Sequence, residues 1–304
     1  MHEHHNHSHA HGAEIKGRPL GIAIGLNLLI TLAQFVGGLI SGSLALLGDA
    51  LHNFSDVLSL IISYIANKLS QREHDLSKTF GFKRAQILAA FINALTLIGV
   101  SVFLIFEAVE RLFSAQPILS EYVIWLAIAG IVVNGGSALL LIKMQKGDSN
   151  MRAAYLHLLG DLATSVAVLF GGFAMYFYDV FWIDSSITIA VSIYLIVLAT
   201  KLFLHTTRVL MQFVPSNLNV AEICARLKKE AGVADVHHVH VWRLNDDTIH
   251  LEAHILLREN LQISDFEKLN HRLAHILQDD FGISHVLFQP EFKGCADQNV
   301  VAQE

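Results

Sequence analysis

Residues 44–69 read LALLGDALHNFSDVLSLIISYIANKL. The run is apolar and, at about 1.5 Å per residue, long enough to cross about 30 Å of hydrocarbon as a helix. Yet His52 and Asp56 sit inside it at i and i+4, and His157 and Asp161 repeat the spacing inside a second apolar run, Ala153 to Tyr178. On a helix such positions share one face, with Cβ atoms about 5–6 Å apart. Two such helices side by side bring two imidazoles and two carboxylates to one point. That is a tetrahedral N/O ligand set of the kind zinc takes, with bonds of about 2.0–2.2 Å. A single His-x-x-x-Asp is ordinarily a surface pair or a satisfied core pair. Inside hydrocarbon a polar or charged group costs about 2.5–3.5 kcal/mol, so two copies there point to function.

The whole chain shares the apolar bias. It has 304 residues, 53% apolar and 16% charged, where soluble domains carry roughly 25% charged residues. The excess apolar surface must face lipid. The net charge of −6 is unevenly spread, and no basic stripe points to nucleic acid. Cys224 and Cys295 belong to no CxxC and read as reduced thiols. The start, MHEHHNHSHAH, lacks the basic n-region and apolar core of a signal peptide. Residues 1–18 read instead as a disordered histidine-rich tail able to gather zinc loosely.

Six apolar runs follow: Leu20 to Ile40, Leu44 to Leu69, Ala85 to Phe113, Tyr122 to Met144, Ala153 to Tyr178 and Ile183 to Leu204. They predict an all-α membrane bundle of six transmembrane helices over residues 19–212. The pairs Gly37-Gly38, Gly135-Gly136 and Gly171-Gly172 are expected to let helices approach closely. Lys and Arg fall on one side of this layout, with only Arg111 on the other. That asymmetry puts both termini and the segment after the last span in the cytoplasm. The second span then runs inward and the fifth outward, so the two pairs can converge at one depth. Asp49, one turn before His52, is expected as an outer partner of the ligands or as part of the ion path. Asn53 and Ser55 are expected to hydrogen-bond neighbouring helices.

The residues Gly48-Asp49-Ala50-Leu51-His52-Asn53-Phe54-Ser55-Asp56, the later His157-x-x-x-Asp161, the spans, the histidine-rich tail and a small C-terminal domain together resemble the cation diffusion facilitators. The His/Asp pairing resembles their zinc-transporting branch. The resemblance covers nearly the whole chain. It implies a homodimer of zinc/proton antiporters that moves Zn2+ out of the cytoplasm, with His52, Asp56, His157 and Asp161 as the transport site. Zinc is then cargo and not a cofactor, cadmium is carried weakly at most, and a bacterial inner membrane is the expected location. Some members hold a further metal in the loop after the second span. Here Lys78 and Phe82 stand where those members place histidines, which leaves Glu73, His74 and Asp75 as a weak substitute.

Residues 213–292 read as a separate domain, with 293–304 as a disordered tail. Val220 to Ala231 has helical spacing, Val236 to Trp242 alternates as a strand, and Asn245-Asp246-Asp247 is a turn. Thr248 to Leu257 is a second strand. Ser264 is expected to cap a helix to Asp280, with Glu267 closing a capping box, and Ser284 to Phe292 is the last strand. The order αββαβ resembles the family's ferredoxin-like α+β cytoplasmic domain. Strand parity puts His238 and His240 on one face and His237 on the other, and groups His250, Glu252 and His254. The resemblance implies regulatory zinc here. By position His238, His254 and His271 match places that some members use as ligands, while Phe288 and Pro290 stand where those have a His and an Asp. His240, His275, His285 or Glu291 is left to complete the set. The plainer reading is that these are surface and strand-pairing histidines.

Metal binding needs deprotonated ligands and so releases protons, and imidazole, with a reference pKa of about 6.5, suits such exchange. Two rivals share the residues. A passive zinc channel uses the same ligands without proton coupling. An intramembrane zinc hydrolase needs an open coordination position and a base, commonly as His-Glu-x-x-His, and the chain has no such motif.

Overall fold

The computed structural model describes residues 18–70, 76–114, 116–142, 149–294 and 299–301. The histidine-rich tail, the Glu73-His74-Asp75 stretch and Cys295 lie outside the described residues. The chain forms two compact units, residues 1–67 with 92–202, and residues 68–91 with 203–304.

Most of the first unit comes from α1 (Arg18–Ser41), α2 (Leu44–Ser70), α3 (Ala85–Phe113), α4 (Ser120–Leu141), α5 (Ser149–Tyr178) and α6 (Trp182–Leu210). Among the described residues, four helices are long and apolar enough to cross a membrane: α3, α4, α5 from Tyr155, and α6. Leu29, Phe103, Phe106, Trp125, Leu139 and Phe170 stand exposed. Large apolar side chains at this density mark a surface solvated by lipid and not by water.

Gly42 turns the chain from α1 into α2 at φ +77°, a region that glycine enters without Cβ strain. Arg111 donates to the Gly42 carbonyl at 2.6 Å. The first amides of a helix have no partner within it. In α2 they are met from two sources. Ser43 Oγ accepts from the Leu46 amide at 3.1 Å, and Asp184 of α6 accepts from the Leu44 amide at 2.8 Å. Ser43 Oγ in turn donates to Asp184, so the carboxylate of one helix caps another.

Helix α4 packs against α1 and α5. A Cβ on Gly37 would fall 2.0 Å from a Leu126 methyl, so α1 and α4 approach as closely as glycine permits. Gly136, expected to serve likewise, has open space where its Cβ would be. Ser55 donates to Asn93 of α3 at 3.0 Å, and the Asn93 amide donates to Ser59 at 2.7 Å. Ser55 thus bonds a neighbouring helix as expected. Asn53 does not: it is buried, and its amide has no hydrogen-bond partner among the described residues.

The second unit contains α7 (Val220–Leu227), β1 (Val233–Arg243), β2 (Ile249–Leu257), α8 (Ile263–Phe281) and β3 (His285–Glu291). The sheet order is β1-β2-β3, with β1 and β2 antiparallel and β2 and β3 parallel across α8. Ile223 and Leu227 from α7, Val236, Leu251 and Ile255 from the sheet, and Leu273 from α8 share one core. Cys224 lies in it, and burial pushes its thiol up, which leaves it protonated and inert. Ser264 is not a cap. Helix α8 opens one residue earlier, at Ile263, with the Gln262 carbonyl accepting from the Asp265 and Phe266 amides. Ser264 is therefore inside the first turn. Gly282 closes the helix in the left-handed region at φ +67°.

Candidate metal centre

Helices α2 and α5 bring the four expected ligands together. His52, Asp56, His157 and Asp161 each offer one N or O atom, all within 4.8 Å of one another. His52 Nε2 lies 3.4 Å from Asp161 and 3.6 Å from Asp56. His157 Nε2 lies 3.1 Å from Asp56 and 3.7 Å from Asp161. A tetrahedron with bonds of about 2.0–2.2 Å has edges of about 3.3–3.6 Å. The four separations straddle that range, so a zinc-sized ion fits with small shifts of the side chains. The two rings meet edge-on, centroids 5.7 Å apart.

The pairing steps down α2 as it steps up α5, from Asp49/Thr164 through His52/Asp161 to Asp56/His157. The two helices therefore run antiparallel here. Exposure changes along this line. The side chains of His52 and Asp161 are 7% and 3% exposed, whereas those of His157 and Asp56 are 45% and 34% exposed. The cluster is closed toward the start of α2 and open toward its end.

Asp49 sits on the closed side and does not join the four. It is buried, and its carboxylate accepts from Thr164 at 2.7 Å, from the Gln34 amide at 3.0 Å and from Ser165 at 3.4 Å. Thr164 Oγ1 also lies 2.9 Å from the Asp161 carbonyl. One carboxylate thus joins α1, α2 and α5 a single turn from the ligands. A Cβ on Gly130 of α4 would fall 2.9 Å from Gln34 Nε2, so α4 backs the knot closely. Gln34, Thr164 and Ser165 were not singled out from sequence. Their signal was position: Thr164 stands one turn after Asp161, as Asp49 stands one turn before His52.

A second cluster forms in the C-terminal domain and corrects the strand parity. His237, His254 and Glu291 offer atoms within 4.8 Å of one another. Glu291 lies 3.2 Å from His237 Nε2 and 2.7 Å from His254 Nδ1. The His238 ring is 4.7 Å from that of His254. A β-bulge explains the grouping. The β1–β2 register pairs His237 with His254 but His240 with Glu252, so β1 spends one extra residue between them. His238 takes it up at φ +47°, and its amide bonds the Asn299 carbonyl. Side-chain parity resets at that point. His237 therefore pairs with His254 and falls on the face of His240, from which strict alternation had separated it. His240 is exposed opposite Glu252, and His271 is exposed on α8. Neither belongs to the cluster.

Comparison with known proteins agrees with these two regions. The cation efflux transmembrane domain model matches residues 20–211, and the cytoplasmic domain model of cation efflux proteins matches residues 215–292. The cadmium, cobalt and zinc/H(+)-K(+) antiporter of Bacillus subtilis is 32% identical over 272 residues, 88% of this chain and 86% of the relative. The metal cation efflux system protein CzcD of Cupriavidus metallidurans is 32% identical over 278 residues, 91% of this chain and 87% of the relative. The zinc transporter ZitB of Escherichia coli is 32% identical over 296 residues, 97% of this chain and 93% of the relative. These are metal cation transporters, which removes the hydrolase reading. The chain is a multi-pass membrane protein that belongs to the cation efflux family, the cation diffusion facilitators that its sequence resembles.

Proposed function

We propose that the protein is a zinc/proton antiporter that exports Zn2+ from the cytoplasm by alternating access, with the metal held between α2 and α5 by His52, Asp56, His157 and Asp161. The observation that carries this reading is the graded exposure of the four ligands, buried at His52 and Asp161 and open at Asp56 and His157. The Lys/Arg asymmetry makes the open side the cytoplasmic one. The conformation is then inward-open, and the Asp49 knot is the barrier on the far side. Zinc enters past Asp56 and His157 and displaces protons from the imidazoles. Opening outward separates Asp49 from Thr164 and Ser165. Protons from that side then compete for His52 and His157 and release the metal.

Several features belong to the same reading: six membrane spans, both termini in the cytoplasm, a homodimer, a ferredoxin-like form for the αββαβ domain and a bacterial inner membrane. The bacterial relatives named as zinc transporters and as a proton- and potassium-coupled antiporter support it. His237, His254 and Glu291, with His238 beside them, form the regulatory zinc site in this account. His240 and His271 take no part in it.

The test is zinc flux into proteoliposomes under an imposed pH gradient, with the wild type beside Asp161→Ala. Gradient-driven accumulation that the variant loses is the expected result. Flux indifferent to the gradient would make the protein a passive channel. Full flux in Asp161→Ala would put the site elsewhere.

A further inference from the structure

The second unit holds a cleft that metal transport does not use. It encloses about 250 Å3, and its lining includes Phe80, Gly81, Lys83, Arg84, Gln212 and Trp242. Lys83 and Arg84 directly precede Ala85, where α3 starts, and Gln212 follows the end of α6 at Leu210. Both helices are long and apolar enough to cross a membrane. The cleft therefore sits where spanning helices leave the hydrocarbon, at the level of lipid headgroups.

Its charge is one-sided. Among the described residues neither Lys83 nor Arg84 has an ion-pair partner, and Arg84 Nε is buried without a hydrogen bond. The first turn of α3 carries no acidic residue, and the helix dipole adds positive potential at that end. Behind the cations the wall is aromatic. Trp242 stacks on His250 with centroids 5.4 Å apart, and Phe80 meets His250 edge-on at 5.8 Å. A half-buried guanidinium with no acceptor is costly, and its fork matches the oxygens of a phosphate.

We propose that this cleft binds the phosphate of an anionic phospholipid headgroup, held by Lys83 and Arg84 with Gln212 as a neutral donor. The bound lipid joins the start of α3, the end of α6 and the end of β1, and so stiffens the second unit.

The experiment uses the full chain purified in detergent and titrated with phosphatidylglycerol, phosphatidylcholine or inorganic phosphate while the melting temperature is followed. Phosphatidylglycerol is expected to raise it and phosphatidylcholine is not. In Lys83→Gln/Arg84→Gln the midpoint concentration of phosphatidylglycerol should rise roughly fivefold for each cation removed. The charge-keeping Lys83→Arg should respond as the wild type does, and zinc uptake into phosphatidylcholine vesicles shows that the double variant is folded. An equal response in wild type and folded double variant overturns the site. Inorganic phosphate that matches the lipid overturns the headgroup assignment in favour of a soluble phosphate ligand.

Discussion

The two histidine–carboxylate clusters are built in different ways. Between α2 and α5, each helix supplies one His and one Asp, and four contacts of 3.1–3.7 Å link them in a ring. In the C-terminal domain, β1, β2 and β3 supply one residue each, and Glu291 bridges His237 and His254. The first cluster depends on two local helix spacings and one distance between helices. The second depends on two strand registers and a bulge. A site of the first kind is stable against small backbone shifts, because each pair moves with its helix, but it changes when the helices move apart. That suits a metal that must be taken up and let go. A site of the second kind is fixed with the sheet, and suits a metal that stays.

The largest effect should separate the two. Asp161→Ala removes one of the four proposed ligands, so gradient-driven zinc transport should fall by more than the roughly 10- to 100-fold that loss of an outer partner costs. Glu291→Ala should leave transport within severalfold of wild type, read in the same vesicles. An equal collapse in both variants would mean that the C-terminal cluster is part of the path and the contrast is false. His52→Asp sharpens the comparison from the other side. It exchanges an imidazole nitrogen for a shorter oxygen ligand and loosens the tetrahedron, so the cadmium-to-zinc transport ratio should rise. An unchanged ratio counts against His52 as a ligand.

Asp49→Ala tests whether helix spacing governs the first cluster. It leaves all four ligands in place but unties Gln34, Thr164 and Ser165, and zinc transport should drop about tenfold. Asp49→Asn keeps an acceptor for Thr164 and should recover part of that loss. If Ala and Asn behave alike and like wild type, the knot is packing and not a barrier. In the C-terminal domain the matching change is smaller and thermodynamic. Zinc at 100 times its dissociation constant stabilises a folded site by about 2.7 kcal/mol. Glu291→Ala should remove that site's share of the zinc-dependent rise in melting temperature, read most clearly in an Asp161→Ala background, and should lower the metal-free value slightly because His237 and His254 lose their carboxylate.

The same contrast explains what the sequence discloses. The pairs His52/Asp56 and His157/Asp161 are visible because helical periodicity is local, and an apolar run makes each polar residue conspicuous. The partners of Asp49 are not visible, because Gln34 and Thr164 meet it only through the packing of α1 and α5. The β1 histidines mislead because alternation fails at one residue. The sign was present in the apolar positions: Val236 and Val239 are three apart, and a flat strand cannot bury both on one face, yet both are buried. The two valines share one core, which an extra residue between them reconciles with the pleat, and the register sets His237 opposite His254. The ends of α8 shifted for a similar reason. Ser264 has the right chemistry for a cap, but the chain had already turned at Gln262.

His250 gives the smallest prediction, and the clearest contrast to both clusters, since among the described residues no carboxylate is paired with it. Burial first, and then the charges of His285, Lys83 and Arg84, hold its imidazole below the usual histidine value. In the fold it stays neutral, while in the unfolded chain it takes up a proton near pH 6.5. Between the folded value and about 6.5 the unfolded state binds more protons, so stability falls as pH drops through about 6.5 and the loss ends below the folded value. His250→Gln cannot protonate and should flatten that part of the curve. The measurement is melting temperature without metal between about pH 7.5 and 5.5, where wild type should lose more than the variant. Parallel curves would assign the acid sensitivity to other histidines. A still steeper loss in the variant would mean that the ring stack of Trp242, His250 and His285 matters more than the charge it excludes.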